Sequence, residues 1–291
     1  MKQVIAALSL ALLAAPFAHA QAIMGDYLDV FVAKVRPEKR ADFDAIGRKI
    51  AEANRKANGD SWIAMTVEYG ENNTVLMVSP RQNYAAIDSA STAFMSAIKA
   101  AYDPGGLPKM MADVNSTLLS SRSEIRRRRG DLTVNPPADA DAYQKLVGGA
   151  RWLRTIRITV RNGREADFEQ RVKEAKAALE KGSKWTYFVA EVIAGAPGNI
   201  YYVSTFQPSL AAFDSAPKLS ELMGKEAFAT WTKAADEDQI TSETMLMRVV
   251  PELSNPPEEI VKVAPDFWQP KAATATMHVM PRSTVTARAS Q

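Results

Sequence analysis

Two acidic residues each interrupt an apolar segment that is predicted to be a β-strand. Glu68 follows the residues IAMTV, and Glu191 follows FVA. A carboxylate in apolar surroundings has a raised pKa and can accept a proton from a ligand. An acid on an exposed strand edge instead discourages aggregation. The residues favour neither interpretation, so both acids are candidate ligand-binding residues.

A tryptophan precedes each acid by the same number of residues, Trp62 in one case and Trp185 in the other. Such a ring can form one wall of an apolar pocket. It can also seal one end of a hydrophobic core, because large aromatic side chains dominate core packing. We expect the core role and keep both residues as ligand-binding candidates.

The densest charge in the chain is the run Arg126-Arg127-Arg128-Arg129. In a strand, alternation places Arg126 and Arg128 on one face and the other two on the opposite face. A structural salt bridge is the main interpretation, and an anion-binding pocket is the alternative, because guanidinium groups match carboxylates. The formal net charge of +3 gives no support to nucleic-acid binding.

Several kinds of chemistry are excluded by composition. The chain has no cysteine, and its two histidines are His19 and His278, near the two ends. Thiol catalysis, disulfides, His-ligated haem, Cys/His zinc sites and Ser-His-Asp triads are therefore absent from the body of the chain. No P-loop or GxGxxG pattern occurs, so no nucleotide site is indicated. We expect no metal and no cofactor.

Residues 1–20 have the pattern of a cleavable secretory signal. Lys2 gives a positive start, Val4 to Phe17 is mainly apolar, and Ala18-His19-Ala20 supplies small residues for signal peptidase. The apolar stretch is too short to cross about 30 Å of hydrocarbon. We expect the mature protein to begin at Gln21, to be periplasmic or secreted, and not to insert into a membrane.

The rest of the chain contains an internal duplication. Between two anchor sequences, Trp62 matches Trp185 and Glu68 matches Glu191, with small changes in offset. Matches in the same order along both halves indicate two copies of one unit. The anchors are Ala41-Asp42-Phe43 with Ala166-Asp167-Phe168, and Ala85-Ala86-Ile87-Asp88-Ser89-Ala90 with Ala211-Ala212-Phe213-Asp214-Ser215-Ala216.

Each copy has the predicted order βαββαβ, which is that of the ferredoxin-like unit. β-branched and aromatic residues predict the strands, and glycine-containing turns separate the two strands of each hairpin. The predicted strands are Tyr27 to Val35, Trp62 to Tyr69, Thr74 to Ser79, Glu124 to Arg128, Trp152 to Val160, Trp185 to Ile193, Ile200 to Thr205 and Thr244 to Val250.

The chain thus divides into a signal peptide (1–20), a first α+β repeat (21–130), a linker (131–150), a second α+β repeat (151–250) and a proline-rich C-terminal tail (251–291). We expect the tail to lie over the second repeat. The aromatic pair Phe267-Trp268 is predicted to be its packing anchor.

At this level of detail the chain resembles the dimeric α+β-barrel superfamily, in particular its antibiotic-biosynthesis monooxygenase-like domains. The resemblance rests on VRPEKRADF and VRNGREADF after the first strand of each copy, and on SW or KW before the next strand. It covers Tyr27 to Arg129 and Trp152 to Val250. It implies that the two ferredoxin-like repeats pack against each other as an intramolecular dimeric α+β barrel.

In such a barrel the last strand of one copy lies beside a hairpin strand of the other. The resemblance therefore implies that Arg126 or Arg128 faces Glu191 and that Arg248 faces Glu68. Haem-degrading members of the superfamily use a histidine ligand, which the body of this chain lacks. No catalytic residue of the superfamily can be matched here.

Our leading hypothesis is an exported protein that binds a small molecule or acts as a scaffold. The alternative is a cofactor-independent oxygenase or isomerase acting on a small aromatic or quinone-like compound, and a third is a purely structural envelope protein. A sealed apolar barrel interior favours structure. An open interior with Glu68 or Glu191 and an arginine favours binding, and a buried unpaired acid beside a cavity favours catalysis.

Overall fold

The computed structural model describes residues 25–102 and 105–269. The predicted signal peptide and its cleavage site, both histidines and the last part of the tail (270–291) lie outside the described residues. Among the described helices, none is long and apolar enough to cross a membrane.

Eight strands of the described residues form a closed barrel with the order β1-β3-β2-β8-β5-β7-β6-β4, and all neighbouring strands are antiparallel. Alternating side chains line the inside and the outside of this barrel. The strands are β1 (Tyr27–Val35), β2 (Ile63–Tyr69), β3 (Thr74–Arg81), β4 (Leu118–Arg128), β5 (Trp152–Val160), β6 (Phe188–Ala194), β7 (Asn199–Gln207) and β8 (Gln239–Val249).

Helices cover the outer face of the sheet, and each half of the chain follows the order βαββαβ. The chain therefore has the fold of two tandem ferredoxin-like repeats packed as one dimeric α+β barrel. The helices are α1 (Arg40–Ala57), α2 (Tyr84–Ala101), α3 (Gly106–Thr117), α4 (Ala140–Gly148), α5 (Glu165–Gly182), α6 (Leu219–Met223), α7 (Lys225–Asp238), α8 (Glu258–Val263) and α9 (Pro265–Trp268).

Two seams join the repeats, and they define which residues are equivalent. β2 pairs with β8, and β4 pairs with β6. Just before β2, Trp62 forms an isolated bridge with Asn255, and just before β6, Tyr187 forms one with Val134. Trp62 is therefore equivalent to Tyr187. Counting along the strands from these bridges makes Thr66, not Glu68, equivalent to Glu191.

The matches of Trp62 with Trp185 and of Glu68 with Glu191 were therefore wrong by two residues. Because side chains alternate with a period of two, a shift of two residues keeps every side chain on the same face. The hydrophobic pattern of the strands could not reveal the error, whereas the pairing across the seams does.

The linker and the tail cover one end of the barrel. The side chain of Asp139 accepts a hydrogen bond from the Ala142 amide at 2.8 Å and caps α4. Trp268, which is 1% exposed, donates from Nε1 to the Gly148 carbonyl at 2.9 Å and anchors the tail on α4. Within the described residues the tail contacts both repeats: Asn255 pairs with Trp62 of the first, and the ring centre of Phe267 lies 3.6 Å from the Arg151 guanidinium of the second.

Candidate functional site

A cavity of about 280 Å³ lies between the sheet and the helices of the first repeat. Strands β1, β3 and β4 form its floor, and α1, α2 and α3 form its roof. Its lining is mainly apolar, with a few polar groups that converge near the start of β1. The apolar lining residues are Phe31, Phe43, Ile46, Ile50, Trp62, Met77, Phe94, Met110, Met111 and Val114, and the polar ones are Asp29, Asp60, Ser79, Asn115 and Ser121.

Two carboxylates share one arginine at the polar end of this cavity. Arg81 donates from Nη1 and Nη2 to the two oxygens of Asp60 at 2.9 and 2.7 Å. Asp29 lies farther away, with Oδ2 3.6 Å from Arg81 Nη2. The planar guanidinium binds Asp60 through both of its terminal NH2 groups, which leaves Asp29 with the weaker contact.

Burial is the main reason that the pKa of Asp29 lies above its ordinary value of 3.8. Arg81 lowers this pKa, and the negative charge of Asp60 raises it again. Asp29 therefore lies beside an apolar cavity, and the ionised form of its carboxyl group is disfavoured. Such a group can donate a hydrogen bond to a bound molecule or exchange a proton with it.

The ring of Trp62 has both of the roles considered from the sequence. It is 4% exposed, its Nε1 donates to the Leu253 carbonyl at 2.7 Å, and it packs edge to face with Phe94 at 6.2 Å between ring centres. These contacts place it in the core of the first repeat, and the same ring forms one wall of the cavity.

The second repeat does not preserve this polar group. By the pairing registers, Asp29 corresponds to Arg154, Asp60 to Trp185 and Arg81 to Gln207. Trp185 is half-buried and stacks on Tyr187, with ring centres 6.1 Å apart. The fold does not require an acid at these positions, so the pair of carboxylates is particular to the first repeat.

Glu191 and Glu68 lie at the seams and do not line the cavity. Glu191 binds Arg127 and Arg129 on the outer face of β4, so the prediction of Arg126 or Arg128 as its partner was wrong. The register places Glu191 directly opposite Arg127, which gives these two side chains the same face. Arg248 donates from Nε to Glu68 Oε1 at 2.9 Å, as predicted.

Arg129 connects Glu191 to a larger network on the second repeat. It also donates to Glu169 and, from Nη2, to Asp131 at 2.7 Å. Tyr201 donates to Glu169 Oε1 at 2.9 Å. The hydrogen bond from Arg129 holds the pKa of Glu169 below its ordinary value. Every carboxylate of this network has a cationic partner, which is typical of a structural cluster.

Arg126 and Arg128 lie inside the barrel. Arg126 Nε donates to Glu124 Oε2 at 2.8 Å, and its guanidinium lies 3.6 Å from the ring centre of Tyr202. Arg128 Nη2 donates to the Tyr143 hydroxyl at 3.2 Å. Burial tends to raise the pKa of Glu124, but Arg126 and Arg122 outweigh it and hold that pKa below its ordinary value.

Sequence reasoning missed Asp29, Asp60, Arg81 and Glu124. A signal for Asp29 was present, because it alternates with Phe31 and Ala33 and so shares their helix-facing side of β1. No comparable signal marked Asp60, which lies in the loop before β2. In the described part of the chain, no group of three or more His, Cys, Asp or Glu residues could hold a metal ion.

No protein-family profile matches this chain, and no curated protein sequence matches it. Solved structures of related shape include a proposed monooxygenase from Fusobacterium nucleatum, with a TM-score of 0.48 and 9% identity over 77% of this chain and 91% of the other. An anthrone oxidase-like protein has a TM-score of 0.46 and 13% identity over 78% and 93%. A chlorite dismutase variant from Candidatus Nitrospira defluvii has a TM-score of 0.43 and 9% identity, over 84% of this chain and 98% of the other. At these values no activity transfers to this chain, and the fold assignment rests on the strand order.

Proposed function

We propose that the protein binds a small, mainly apolar molecule in the cavity of the first repeat, and that Asp29 contacts the polar group of that molecule. The observation that carries this proposal is the position of Asp29, a half-buried acid whose ion pair with Arg81 is long at 3.6 Å, at one end of an apolar cavity of about 280 Å³. An apolar pocket with a few convergent polar groups is the usual form of a small-molecule site. The signal-like residues 1–20 lead us to place this binding in the periplasm or outside the cell.

The energetic argument comes from the comparison between the repeats. A buried carboxylate destabilises the folded state unless a cation or hydrogen-bond donors compensate it. Asp29 has only a 3.6 Å ion pair with an arginine that is already bound to Asp60, and the second repeat builds the same strand position with Arg154. An unfavourable residue that the fold does not need is best explained by contact with a ligand.

A second candidate function is proton transfer without a cofactor, as in an isomerase or an oxygenase acting on an aromatic or quinone-like compound. The raised pKa of Asp29 favours this candidate, because it brings the carboxyl group closer to neutral pH. In an isomerase, Asp29 would take a proton from one carbon of the ligand and return it to another. In an oxygenase, the anion left by proton removal would react with dioxygen, which is the oxidant.

Native mass spectrometry of protein purified from its own host tests the binding proposal. We expect a retained small molecule on the wild-type protein and its loss from Ser79→Phe, which places a ring in the cavity beside Asp29. Glu68→Gln, at the seam and outside the cavity, is the matched control and should retain the molecule. A direct titration with 1-naphthol by calorimetry provides a defined probe.

Equal binding of 1-naphthol by the wild type and by a folded Ser79→Phe variant would exclude this cavity as the site. For the enzymatic candidate, Asp29→Asn should abolish turnover of a phenolic substrate while 1-naphthol still binds. Unchanged turnover in Asp29→Asn would exclude Asp29 as the proton acceptor.

A further inference from the structure

The barrel has a second cavity, of about 340 Å³, at the end opposite the one that residues 251–269 of the tail cover. The hairpin turns β2–β3 and β6–β7 contribute Glu71, Ala196 and Pro197 to its rim. This cavity is separate from the one between the sheet and the helices of the first repeat, because it opens into the barrel interior. It is called the barrel mouth below.

The barrel mouth has one charged wall and one apolar wall. The charged wall consists of three arginines, Arg122 and Arg126 of β4 and Arg157 of β5, together with the ring of Tyr202 of β7. The apolar wall consists of Val32 of β1, Leu76 of β3 and Met245 of β8. A ligand that fits both walls has a charged group at one end and an apolar body.

The charged wall is not a requirement of the fold. Arg127 lies opposite Tyr27, the first residue of β1, and Arg248 lies opposite Trp152, the first residue of β5. Inside the barrel, Arg126 is therefore equivalent to Met247, and Glu124 to Met245. Because β8 has methionines at the positions of Glu124 and Arg126, and Glu243 at the position of Arg122, the two buried charges of β4 are an addition to the basic architecture. Buried charges are costly unless they are compensated.

Arg126 has hydrogen-bonding capacity that the protein does not use. The residue is 6% exposed, and its Nε donates to Glu124 Oε2 at 2.8 Å. Its Nη2 lies 2.6 Å from the same oxygen but lacks hydrogen-bond geometry and has no other partner. Arg157 also has a loose contact, with Nη1 3.7 Å from Glu243 Oε2. Both guanidinium groups can donate hydrogen bonds to an additional anionic partner.

The charged groups around the barrel mouth carry a net charge of +1, from four cations and three carboxylates. Glu124 is compensated by Arg126 and by Arg122, whose Nε donates to Glu124 Oε1 at 2.7 Å. At the rim, Lys34 lies 3.2 Å from Glu71. The cations are Arg122, Arg126, Arg157 and Lys34, and the carboxylates are Glu71, Glu124 and Glu243. One bound monoanion would neutralise this group.

We propose that the barrel mouth binds a small organic carboxylate. Arg126 and Arg157, with Arg122 beside them, hold the carboxylate group. The apolar part of the ligand packs against Val32, Leu76 and Met245. This site does not depend on the cavity of the first repeat, and the two proposals can fail separately.

Isothermal titration of the full mature chain with benzoate tests the proposal. We expect saturable binding of one benzoate, and at least about tenfold weaker binding of benzyl alcohol, because it lacks the charge that the arginines recognise. Inorganic phosphate should also bind more weakly than benzoate, because it has no apolar part for the second wall. Phosphate binding as tight as that of benzoate would overturn the assignment of an organic carboxylate.

The matched variant replaces two buried residues with those of the equivalent strand. Glu124→Met combined with Arg126→Met reproduces Met245 and Met247 without leaving a buried charge unpaired. We expect the dissociation constant for benzoate to rise at least about tenfold, since charge-assisted hydrogen bonds are lost. Arg157 of β5 is equivalent to Val32 of β1, so Arg157→Val replaces it with the residue of the other repeat. This variant should weaken benzoate binding while leaving Glu124 in place, and it tests the proposal if the double variant does not fold.

Arg127→Met is the control, because Arg127 neighbours Arg126 on β4 but points to the outer face and is half exposed. It should bind benzoate as the wild type does. Undetectable benzoate binding to the wild type, or unchanged binding by Arg157→Val and by the folded double variant, would overturn the proposal.

Discussion

Glu191 lies directly opposite Arg127 across the seam between β4 and β6, and its second oxygen accepts a hydrogen bond from Arg129 Nη1 at 2.8 Å. The side chain of Glu191 is 12% exposed, whereas that of Glu68 at the other seam is 33% exposed. The two seams therefore hold ion pairs of the same chemistry in different degrees of solvent contact. Burial determines how much each pair contributes to stability.

Replacing Glu191 with glutamine should destabilise the protein more than the same change at Glu68. Breaking a buried ion pair typically lowers the free energy of unfolding by about 3–5 kcal/mol. Because Arg129 remains paired with Glu169 and Asp131, we expect a smaller loss of about 2 kcal/mol for Glu191→Gln. The exposed pair should contribute about 0–1 kcal/mol, and Glu68→Gln is the control. Urea unfolding measures both values, and equal losses would contradict the difference in burial.

Asp29→Asn should stabilise the protein at pH 7. A folded-state pKa above the unfolded value means that the folded protein holds its proton more tightly, so the ionised acid weakens the fold as pH rises from about 3.8 through the folded pKa. The gain from asparagine should therefore be present at pH 7 and should shrink towards pH 4. Urea unfolding over this pH range checks the sign. A loss of stability at pH 7 would show that Arg81 outweighs burial.

Asp60→Asn should lower the pKa of Asp29. The negative charge of Asp60 raises that pKa, and Asp60 also occupies both terminal nitrogens of the Arg81 guanidinium, which would otherwise attract Asp29. Removing the charge frees Arg81 to form a closer pair with Asp29. Carboxyl carbon NMR titration of the wild type and the variant measures the shift. Asp44→Asn on α1, at a residue that pairs with Arg40 and does not line the cavity, is the control and should leave the pKa of Asp29 unchanged.

Trp268→Ala should show that the tail is part of the folded unit. Trp268 is buried against α4 and donates to the Gly148 carbonyl, so its loss creates a cavity and removes a hydrogen bond. Truncation of a buried tryptophan costs about 3–5 kcal/mol. Val263→Ala, at a position that is 38% exposed, is the control and should cost much less. Thermal unfolding of both variants gives the comparison. Similar values would mean that the tail contributes little to stability.

The order of elements was determined locally and could be predicted from the sequence. β1 and β5 have the predicted bounds, Tyr27–Val35 and Trp152–Val160. Runs of β-branched and aromatic residues form strands wherever they pack on a sheet, and glycine-containing turns end them. The duplication was visible for the same reason, because each copy repeats a local pattern along the chain.

The partners across the seams were decided by tertiary structure. Alternation along β4 left open which of its two faces points into the barrel, and a slide of two residues keeps every side chain on its own face, so the sequence alone could not assign the partner of Glu191. Hydrogen-bonded pairing selects one of them, in which Arg127 faces Glu191 and Arg126 points into the barrel. The candidate site depends on the same kind of information. Asp29, Asp60 and Arg81 come from a strand, a loop and another strand, and they meet only because β1 and β3 pair in a register that places Tyr27 beside Arg81.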